Sequence, residues 1–561
     1  MDDQPNLREF LNEVNNFTEE TAPAPAKSAP AQLGVIGDVV EIAGSGSQIR
    51  LNAAAVTSLQ SHADPSVAMS GQVGSQVIMV VGDAWLIANV RTLRANDSNE
   101  LIAQVDFLGE GKKDATGKLS SFRRGVTRYP IPGANVLPVT TDDLHAVFAA
   151  SDEPHIEIGT VYPTDDIRGA LYVDPMLSKH FAVLGSTGTG KSTSVALILH
   201  RISELSPEGH ILMIDPHGEY SAAFKNCGEL FNVDNLQLPY WLMNFDEHCE
   251  VLLTTQGQER QRDADILAKC LLAARTKGKD VSQIGKVTVD SPIPYLLADL
   301  NTILVNEMGK LDRAGDTLPF QRLKTKLDEL RADPRYTFMF SGMLVSDSMP
   351  TLLAKLFRLP SHGKPISIVD VSGVPSEITS VVVSILARMV FDYAIWSRTE
   401  AQRPLLLVCE EAHRYVPKDE NAENGQAVRK ILERIAKEGR KYGVSLGLIT
   451  QRPSDLAEGV LSQCGTIVSM RLNNDRDQAC VRAAMPEGAR GFLDAIPALR
   501  NRECIVCGEG VAIPIRVRFD DLEPEKRPAS SDPSFAHLWR ETGDEAGIIS
   551  RTIKRWRGHG R

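Results

Sequence analysis

A glycine-rich loop followed by a lysine and two hydroxyl side chains is the first stretch of the sequence that can do chemistry. It fits the spacing G-x-x-x-x-G-K-[ST] of a phosphate-binding loop. An apolar run at 181–184 precedes it, and a helix-like pattern at 190–204 follows, so a helix N-terminus faces the bound phosphates. Lys191 can reach the β and γ phosphates, and the Ser192 hydroxyl can bind magnesium. The predicted nucleotide-binding residues are Gly185, Ser186, Thr187, Gly188, Thr189, Gly190, Lys191, Ser192 and Thr193.

A second apolar run ends in two carboxylates, in the stretch PLLLVCEEAHRYVP at 404–417. A phosphate-binding loop needs an acid for the metal ion and a base for the attacking water. Glu410 takes the place of the aspartate that usually assists Mg²⁺, and Glu411 is placed to polarise the water. His413 has two interpretations that stay open: it senses the nucleotide, or it packs.

Two further segments supply candidate polar groups. LGLITQRPSDL, at 446–456, reads as a third strand whose end carries Gln451, a side chain suited to the γ phosphate or to water. The preceding segment, 428–443, has apolar residues at helical spacing and a basic face. That face is either solvated or carries an arginine that reaches the γ phosphate of a neighbouring subunit. Arg440 is favoured for that role over Arg434.

The segment ILMIDPHGEY, at 211–220, reads as another strand with polar side chains at its carboxyl end. Ligands bind at such ends in open α/β sheets. Asp215, His217 and Glu219 therefore either organise Mg²⁺ and water or belong to a turn made by Pro216 and Gly218.

Composition sets limits on the class of protein. The chain has 561 residues and a net charge of −11, so any contact with nucleic acid must be local, as in the lumen of a ring. No apolar stretch approaches the length of a membrane span, and the N-terminus does not resemble a secretory signal. We therefore expect a cytoplasmic protein with no membrane partner.

The sequence pattern predicts an α/β protein with several parts. Residues 1–32 are an N-terminal segment and linker, and 33–150 are short alternating strands that suggest a small β-barrel. A RecA-like P-loop core with a parallel sheet covers 151–520. The predicted helical insertion in this core lies at about 221–360, and 521–561 is a C-terminal tail.

The ordered motifs AVLGSTGTGKS, IDPHGEY, EEAH, RIAKEGRKYGV and TQRPSDL resemble those of the HerA family, of the HerA/FtsK superfamily. The resemblance covers roughly 33–520. It implies a homo-hexamer with ATP and Mg²⁺ between subunits, a barrel of the HAS type, and double-stranded DNA in the central channel. Carried over by motif, Lys191 and Ser192 hold phosphate and metal, Glu411 is the catalytic base, Gln451 lies near the γ phosphate, and Arg440 acts in trans. Glu410 departs from the usual acid at its position.

The same resemblance implies a separate effector protein, either a nuclease or a sirtuin-like NAD hydrolase, in DNA end processing or anti-phage defence. The composition lacks the Lys/Glu enrichment of hyperthermophiles, which favours a bacterial type. Three functions remain open: a DNA translocase or helicase motor, a ring that assembles and gates the effector, and a translocase of the FtsK or type IV secretion kind.

Overall fold

The computed structural model describes most of the chain. The ranges described are 33–96, 100–114, 118–164, 166–277, 285–310, 314–341, 344–419, 425–485, 490–529, 535–541, 543 and 545–558. The predicted N-terminal segment and linker, 1–32, lie outside the described residues.

The N-terminal part is a small closed β-barrel. Its strands are β1 (Gly37–Ile42), β2 (Gly46–Leu51), β3 (Gln76–Val81), β4 (Ala84–Ala95), β5 (Leu101–Lys113), β6 (Leu119–Arg124) and β7 (Asn135–Pro138). Six of them close in the order β2-β1-β7-β3-β4-β5, because β2 also pairs with β5, and β6 extends from β5. Alternate apolar side chains such as Val39, Ile49 and Met79 fill the interior. The barrel that the alternating runs predict is confirmed.

An eleven-stranded sheet forms the core of the ATPase part. Its strands are β8 (His155–Val161), β9 (Arg168–Tyr172), β10 (Phe181–Leu184), β11 (Ile211–Asp215), β12 (Gly228–Phe231), β13 (Ile366–Asp370), β14 (Leu405–Cys409), β15 (Val444–Thr450), β16 (Thr466–Met470), β17 (Glu503–Gly508) and β18 (Ile515–Phe519). Their order is β12-β13-β11-β14-β15-β10-β16-β17-β18-β8-β9. The α/β, RecA-like P-loop fold class is confirmed.

Only part of this sheet is parallel, which differs from the sequence-based prediction. The strands from β12 to β16 run parallel, and those from β16 to β9 pair antiparallel. Short connections join β8 to β9 and β17 to β18. A parallel crossover needs a dozen residues or more, so these pairs can only fold as hairpins.

Helices cover the sheet and build the insertion. Those of the barrel part and the start of the core are α1 (Ala53–Leu59), α2 (Pro65–Ala68), α3 (Thr141–Phe148), α4 (Val173–Ser178) and α5 (Lys191–Leu205). The next six are α6 (Phe245–Leu252), α7 (Gly257–Thr276), α8 (Leu297–Met308), α9 (Ala314–Ala332), α10 (Thr337–Phe340) and α11 (Met349–Leu356). The rest are α12 (Ser376–Trp396), α13 (Gln426–Tyr442), α14 (Glu458–Leu461), α15 (Asp475–Ala484), α16 (Arg490–Leu493), α17 (Phe535–Leu538) and α18 (Glu545–Gly558).

Helix α13 follows the spacing that the sequence shows. Val428, Leu432 and Ile435 are fully buried on the face toward the core, and the basic side chains lie on the opposite face. The helix ends where Gly443 takes a left-handed conformation, with φ of 76°, which a glycine adopts without steric cost. This turn leads directly into β15 and so sets the position of Thr450 at the far end of that strand.

The helical insertion lies between two strands of the core sheet. The predicted range begins at about 221, yet β12 at its start pairs with β13 as the edge of the sheet. The helices α6 to α11 then follow. A buried ion pair ties the insertion to the core: Glu247, fully buried, accepts hydrogen bonds from Arg388 at 2.9 and 3.1 Å and from Ser384 at 2.8 Å.

His248, next to that ion pair, gives the fold a predicted sensitivity to acid. Its ring nitrogens lie 2.7 Å from the Asn244 carbonyl and 3.0 Å from the Tyr295 hydroxyl, and burial lowers the pKa of His248 to about 3. The unfolded chain takes up a proton near its ordinary pKa of about 6.5, whereas the folded chain does not until about pH 3. Stability is therefore complete above pH 6.5 and is lost as the pH falls.

We expect this one group to lower the free energy of unfolding by about 2 kcal/mol between pH 7 and pH 5. Thermal unfolding midpoints at several pH values measure the effect, and His248→Gln should flatten their dependence on pH. His145→Gln is the control, because His145 is half-exposed and lies outside the insertion. An unchanged slope in His248→Gln would contradict the assignment.

Among the described residues, one helix is long and apolar enough to cross a membrane by length and composition. This is α12, and 67% of its apolar window is buried inside the protein. Val382, Ile385 and Leu386 are fully buried in the core cluster.

The predicted C-terminal tail, 521–561, begins on the surface of the core. Asp521 forms an ion pair with Arg502, Leu522 is buried, and the Ala529 N–H donates to the Glu219 carbonyl at 2.8 Å. Beyond this contact the described side chains of α17 and α18 are exposed. Trp539, which directly follows α17, and Trp556, in α18, are both exposed.

Candidate functional site

The phosphate-binding loop joins the end of β10 to the start of α5. Strand β10 lies between β15 and β16, and all four of its residues are buried. Gly188 and Gly190 have φ of 78° and 93°, so both need the freedom of glycine. The loop is fastened to its neighbours because the Gly185 N–H donates to Thr450 O at 3.3 Å and the Ser186 N–H to Arg471 O at 2.9 Å.

Not every residue of the loop is free to bind a ligand with its side chain. Thr189 is fully buried and its hydroxyl donates to Ser186 O at 2.8 Å, so this side chain braces the loop. The Thr187 hydroxyl lies 2.5 Å from Gln451 Oε1. The structure thus brings Gln451, at the end of β15, into direct contact with the loop.

Glu410 sits directly beside Lys191. Its Oε1 lies 3.3 Å from Lys191 Nζ, and its Oε2 accepts a hydrogen bond from the Tyr220 hydroxyl at 3.0 Å. Burial raises the pKa of Glu410 to about 7, and the neighbouring Lys191 opposes that rise. Tyr220 also interacts with the Ser192 hydroxyl. Ser192, Glu410 and Tyr220 therefore form one oxygen-rich cluster, which fits the ligand preference of Mg²⁺.

Glu411 follows β14 in a strained backbone conformation. Its φ is 51°, in the left-handed region that side chains other than glycine rarely adopt and that occurs preferentially at functional sites. Oε1 lies 4.0 Å from Lys191 Nζ and 3.9 Å from His217 Nε2, and Oε2 lies 3.2 Å from His413 Nδ1. The carboxylate is nearly buried and faces the loop, as a group that must act on a water molecule requires.

Asp215 organises a turn, which is one of the two interpretations that the sequence leaves open. Its carboxylate accepts the backbone N–H groups of His217 at 3.1 Å, Gly218 at 2.9 Å and Tyr220 at 2.9 Å. The turn delivers the Tyr220 hydroxyl to Glu410. Sequence reasoning missed Tyr220 as a site residue, although it ends the IDPHGEY motif.

Two arginines at the loop were also missed. The Arg502 N–H donates to Thr189 O at 2.9 Å, and its Cγ lies 3.1 Å from the place of a β-carbon on Gly190. Arg471 follows β16 and holds Leu499 O and Asn501 with its guanidinium. Arg502 precedes β17, on the antiparallel side of the sheet, whose pairing the sequence pattern did not predict, and Arg471 follows β16, the last of the parallel strands.

Arg440 lies far from this chain's own loop. It is exposed near the end of α13, just before β15 begins, whereas Gln451 follows the other end of that strand. A seven-residue strand spans roughly 20 Å. Arg440 therefore has no access to the nucleotide site of its own subunit, and its predicted role requires a second subunit.

Arg434, the alternative, is already engaged. Its guanidinium lies 4.8 Å from the centre of the Phe391 ring, and it faces Glu438 at 3.7 Å. The contact with Phe391 holds α13 against α12, whereas Glu438 lies on the same helix as Arg434.

The chain is similar to known proteins along most of its length. Residues 156–390 match the family model described as helicase HerA, central domain. The DNA double-strand break repair helicase HerA of Pyrococcus furiosus is 25% identical over 510 residues, covering 84% of this chain and 88% of that protein. The chain is an ATPase that is similar to these HerA helicases. The corresponding HerA protein of Sulfolobus acidocaldarius is 25% identical over 489 residues, and the alignment covers 85% of this chain and 89% of that protein.

Two solved structures also resemble this chain. VirB4 of Thermoanaerobacter pseudethanolicus aligns with a TM-score of 0.49 and 15% identity, covering 67% of this chain and 99% of that one. The conjugative coupling protein TrwB, without its first 70 residues, aligns with a TM-score of 0.44 and 14% identity. That alignment covers 71% of this chain and 95% of TrwB.

Proposed function

We propose that this chain is an ATP-driven DNA translocase or helicase motor that works as a homo-hexamer. The observation that carries the proposal is the convergence of Lys191, Glu410, Glu411 and Gln451 at one edge of the sheet. That arrangement is built for hydrolysis of a nucleoside triphosphate. DNA is the inferred track because the P. furiosus relative, described as a DNA repair helicase, matches over more than four-fifths of both chains.

In this mechanism the backbone N–H groups of the loop and Lys191 bind the phosphates. Ser192 and Glu410 would hold Mg²⁺, which when bound would supply positive charge against the charge that develops on the γ phosphate. Glu411 takes a proton from the attacking water, and Gln451 holds the water or the γ phosphate in line. Arg440 of an adjacent subunit completes the site.

The oxygen-rich cluster of Ser192, Glu410 and Tyr220 allows the role of Tyr220 to be tested. Removing the hydroxyl in Tyr220→Phe deletes the hydrogen bond that orients Glu410, and such outer contacts are worth about 10- to 100-fold in metal affinity. We expect the Mg²⁺ concentration for half-maximal ATP turnover to rise roughly tenfold, with turnover recovered at high Mg²⁺. Tyr129→Phe, on the barrel surface, is the matched control. An unchanged Mg²⁺ requirement would remove Tyr220 from the site.

Coupling to DNA is tested by steady-state ATP turnover with and without linear duplex DNA. We expect clear stimulation, which weakens as salt is added because phosphate contacts release counterions. Glu411→Gln serves as the blank. Slow turnover that is indifferent to DNA would contradict the motor and favour the second candidate function.

That second candidate is a ring that assembles and gates a separate effector enzyme, a nuclease or a sirtuin-like NAD hydrolase, in DNA end processing or anti-phage defence. The supporting observation is the exposed apolar surface near the C-terminus, where Trp539 and Trp556 are 82% and 80% exposed.

Deletion of 530–561 tests this surface without disturbing the core contacts of 521–529. If the chain is a ring that gates an effector, the shortened chain still forms a ring and hydrolyses ATP but no longer co-purifies with a co-expressed effector. Intact co-purification would exclude the C-terminal surface as the docking site.

A further inference from the structure

One ring nitrogen beside the site faces two oxygens from different strands. His413 Nδ1 lies 2.9 Å from the Thr450 hydroxyl and 3.2 Å from Glu411 Oε2. Glu411 follows β14 and Thr450 ends β15, so the imidazole bridges the two central strands at their carboxyl ends. The proposed mechanism so far uses neither His413 nor Thr450.

Thr450 is arranged to hold this ring. It is fully buried, its hydroxyl accepts the Arg452 N–H at 3.0 Å, and its carbonyl accepts the Gly185 N–H of the loop. A hydroxyl oxygen has two lone pairs, so Thr450 Oγ1 can accept both the ring N–H of His413 and the backbone N–H of Arg452. The next residue, Gln451, touches Thr187. The ring is thus fixed to the strand that contacts the loop.

Glu411 needs a partner that the other neighbours do not supply. Among the described residues, its buried Oε2 has no hydrogen-bond partner of good geometry, and His413 Nδ1 lies 3.2 Å from it. A hydrogen bond from N–H to an ionised carboxylate is about twice as strong as one to a neutral oxygen. One N–H can be shared between two acceptors, so Nδ1–H can serve Glu411 Oε2 at 3.2 Å as well as the Thr450 hydroxyl at 2.9 Å.

We propose that His413 is a positioning residue: its Nδ1–H, shared between the Thr450 hydroxyl oxygen and Glu411 Oε2, holds the Glu411 carboxylate in the orientation that accepts a proton from the attacking water. This arrangement follows the general pattern in which a base is oriented by a neighbour and that neighbour by a third group. The inference rests on the proposed function, because it requires Glu411 to be the base.

The test uses the different reach of two amides. Asparagine places its Nδ2 where histidine has Nδ1, whereas glutamine extends its amide toward the place of Nε2. His413 borders an open groove of about 1090 Å³, so both side chains fit. We expect His413→Gln and His413→Leu to lower kcat roughly tenfold or more with little change in KM, because a misplaced catalytic group costs rate. His413→Asn should recover most of the lost kcat.

Equal kcat values for the Asn and Gln variants, whether both high or both low, would overturn the proposal. A changed KM with an unchanged kcat in the Gln and Leu variants would also overturn it. A lowered thermal midpoint in the Asn variant would make the ring a packing group and also overturn it. The failure of the proposed function looks different. If Glu411→Gln retains turnover, the base assignment is wrong; if it is inactive while Asn and Gln at 413 are equal, only the role of His413 is wrong.

Discussion

Glu411→Gln is expected to lower ATP turnover at least about 100-fold, because a general base contributes 10²- to 10⁴-fold to such reactions. Glutamine has the same shape but cannot accept the proton of the attacking water. Binding of the nucleotide should survive, since the Glu411 carboxylate lies 4.0 Å from Lys191 and makes no closer contact with the loop lysine. The structure thus predicts a chain that binds ATP, assembles, and does not turn over.

Turnover and nucleotide affinity are measured on the same preparations. Glu458→Gln is the matched control, because that carboxylate is exposed and pairs with Lys418 away from the loop. Glu410→Gln provides the informative contrast: it should raise the Mg²⁺ requirement, since Glu410 touches Lys191 and Tyr220. Unchanged turnover in Glu411→Gln would show that another group activates water.

The site residues that the sequence predicts come from patterns that are local in the chain. Lys191 belongs to a motif with a fixed backbone conformation, and Glu410, Glu411 and Gln451 each follow a continuous apolar run. Buried parallel strands read as such runs, and their carboxyl ends meet at one edge. The sequence therefore predicts that these residues lie near one another at that edge of the sheet.

What the sequence pattern did not predict depends on long-range packing. Tyr220 reaches Glu410 only because the buried Asp215 folds a tight turn, and Arg502 reaches the loop only because β17 pairs antiparallel with β16. Strand β12 is four residues long and carries no period strong enough to separate it from the helices that follow. Contacts of this kind are set by which strands become neighbours, and composition does not encode that order.

Arg440→Ala is expected to lower turnover about 1000-fold, the lower end of the range for an arginine that acts on the γ phosphate from outside. Nucleotide affinity should change little, because Arg440 lies at the opposite end of β15 from the loop of its own subunit. Arg434→Ala is the control on the same helix. It removes the stacking on Phe391, worth about 0.5–1 kcal/mol, and should lower thermal stability with turnover nearly intact.

Mixing two inactive variants decides whether Arg440 acts in trans. Lys191→Ala disables the loop of its own subunit but keeps Arg440, and Arg440→Ala keeps the loop but lacks the arginine. In a head-to-tail ring each site joins two different subunits, so a random equal mixture restores about one quarter of the sites. Recovery of turnover after mixing therefore requires that the arginine of one subunit serve the loop of the next. A mixture as inactive as its components would show that Arg440 does not act on the nucleotide of a neighbouring subunit.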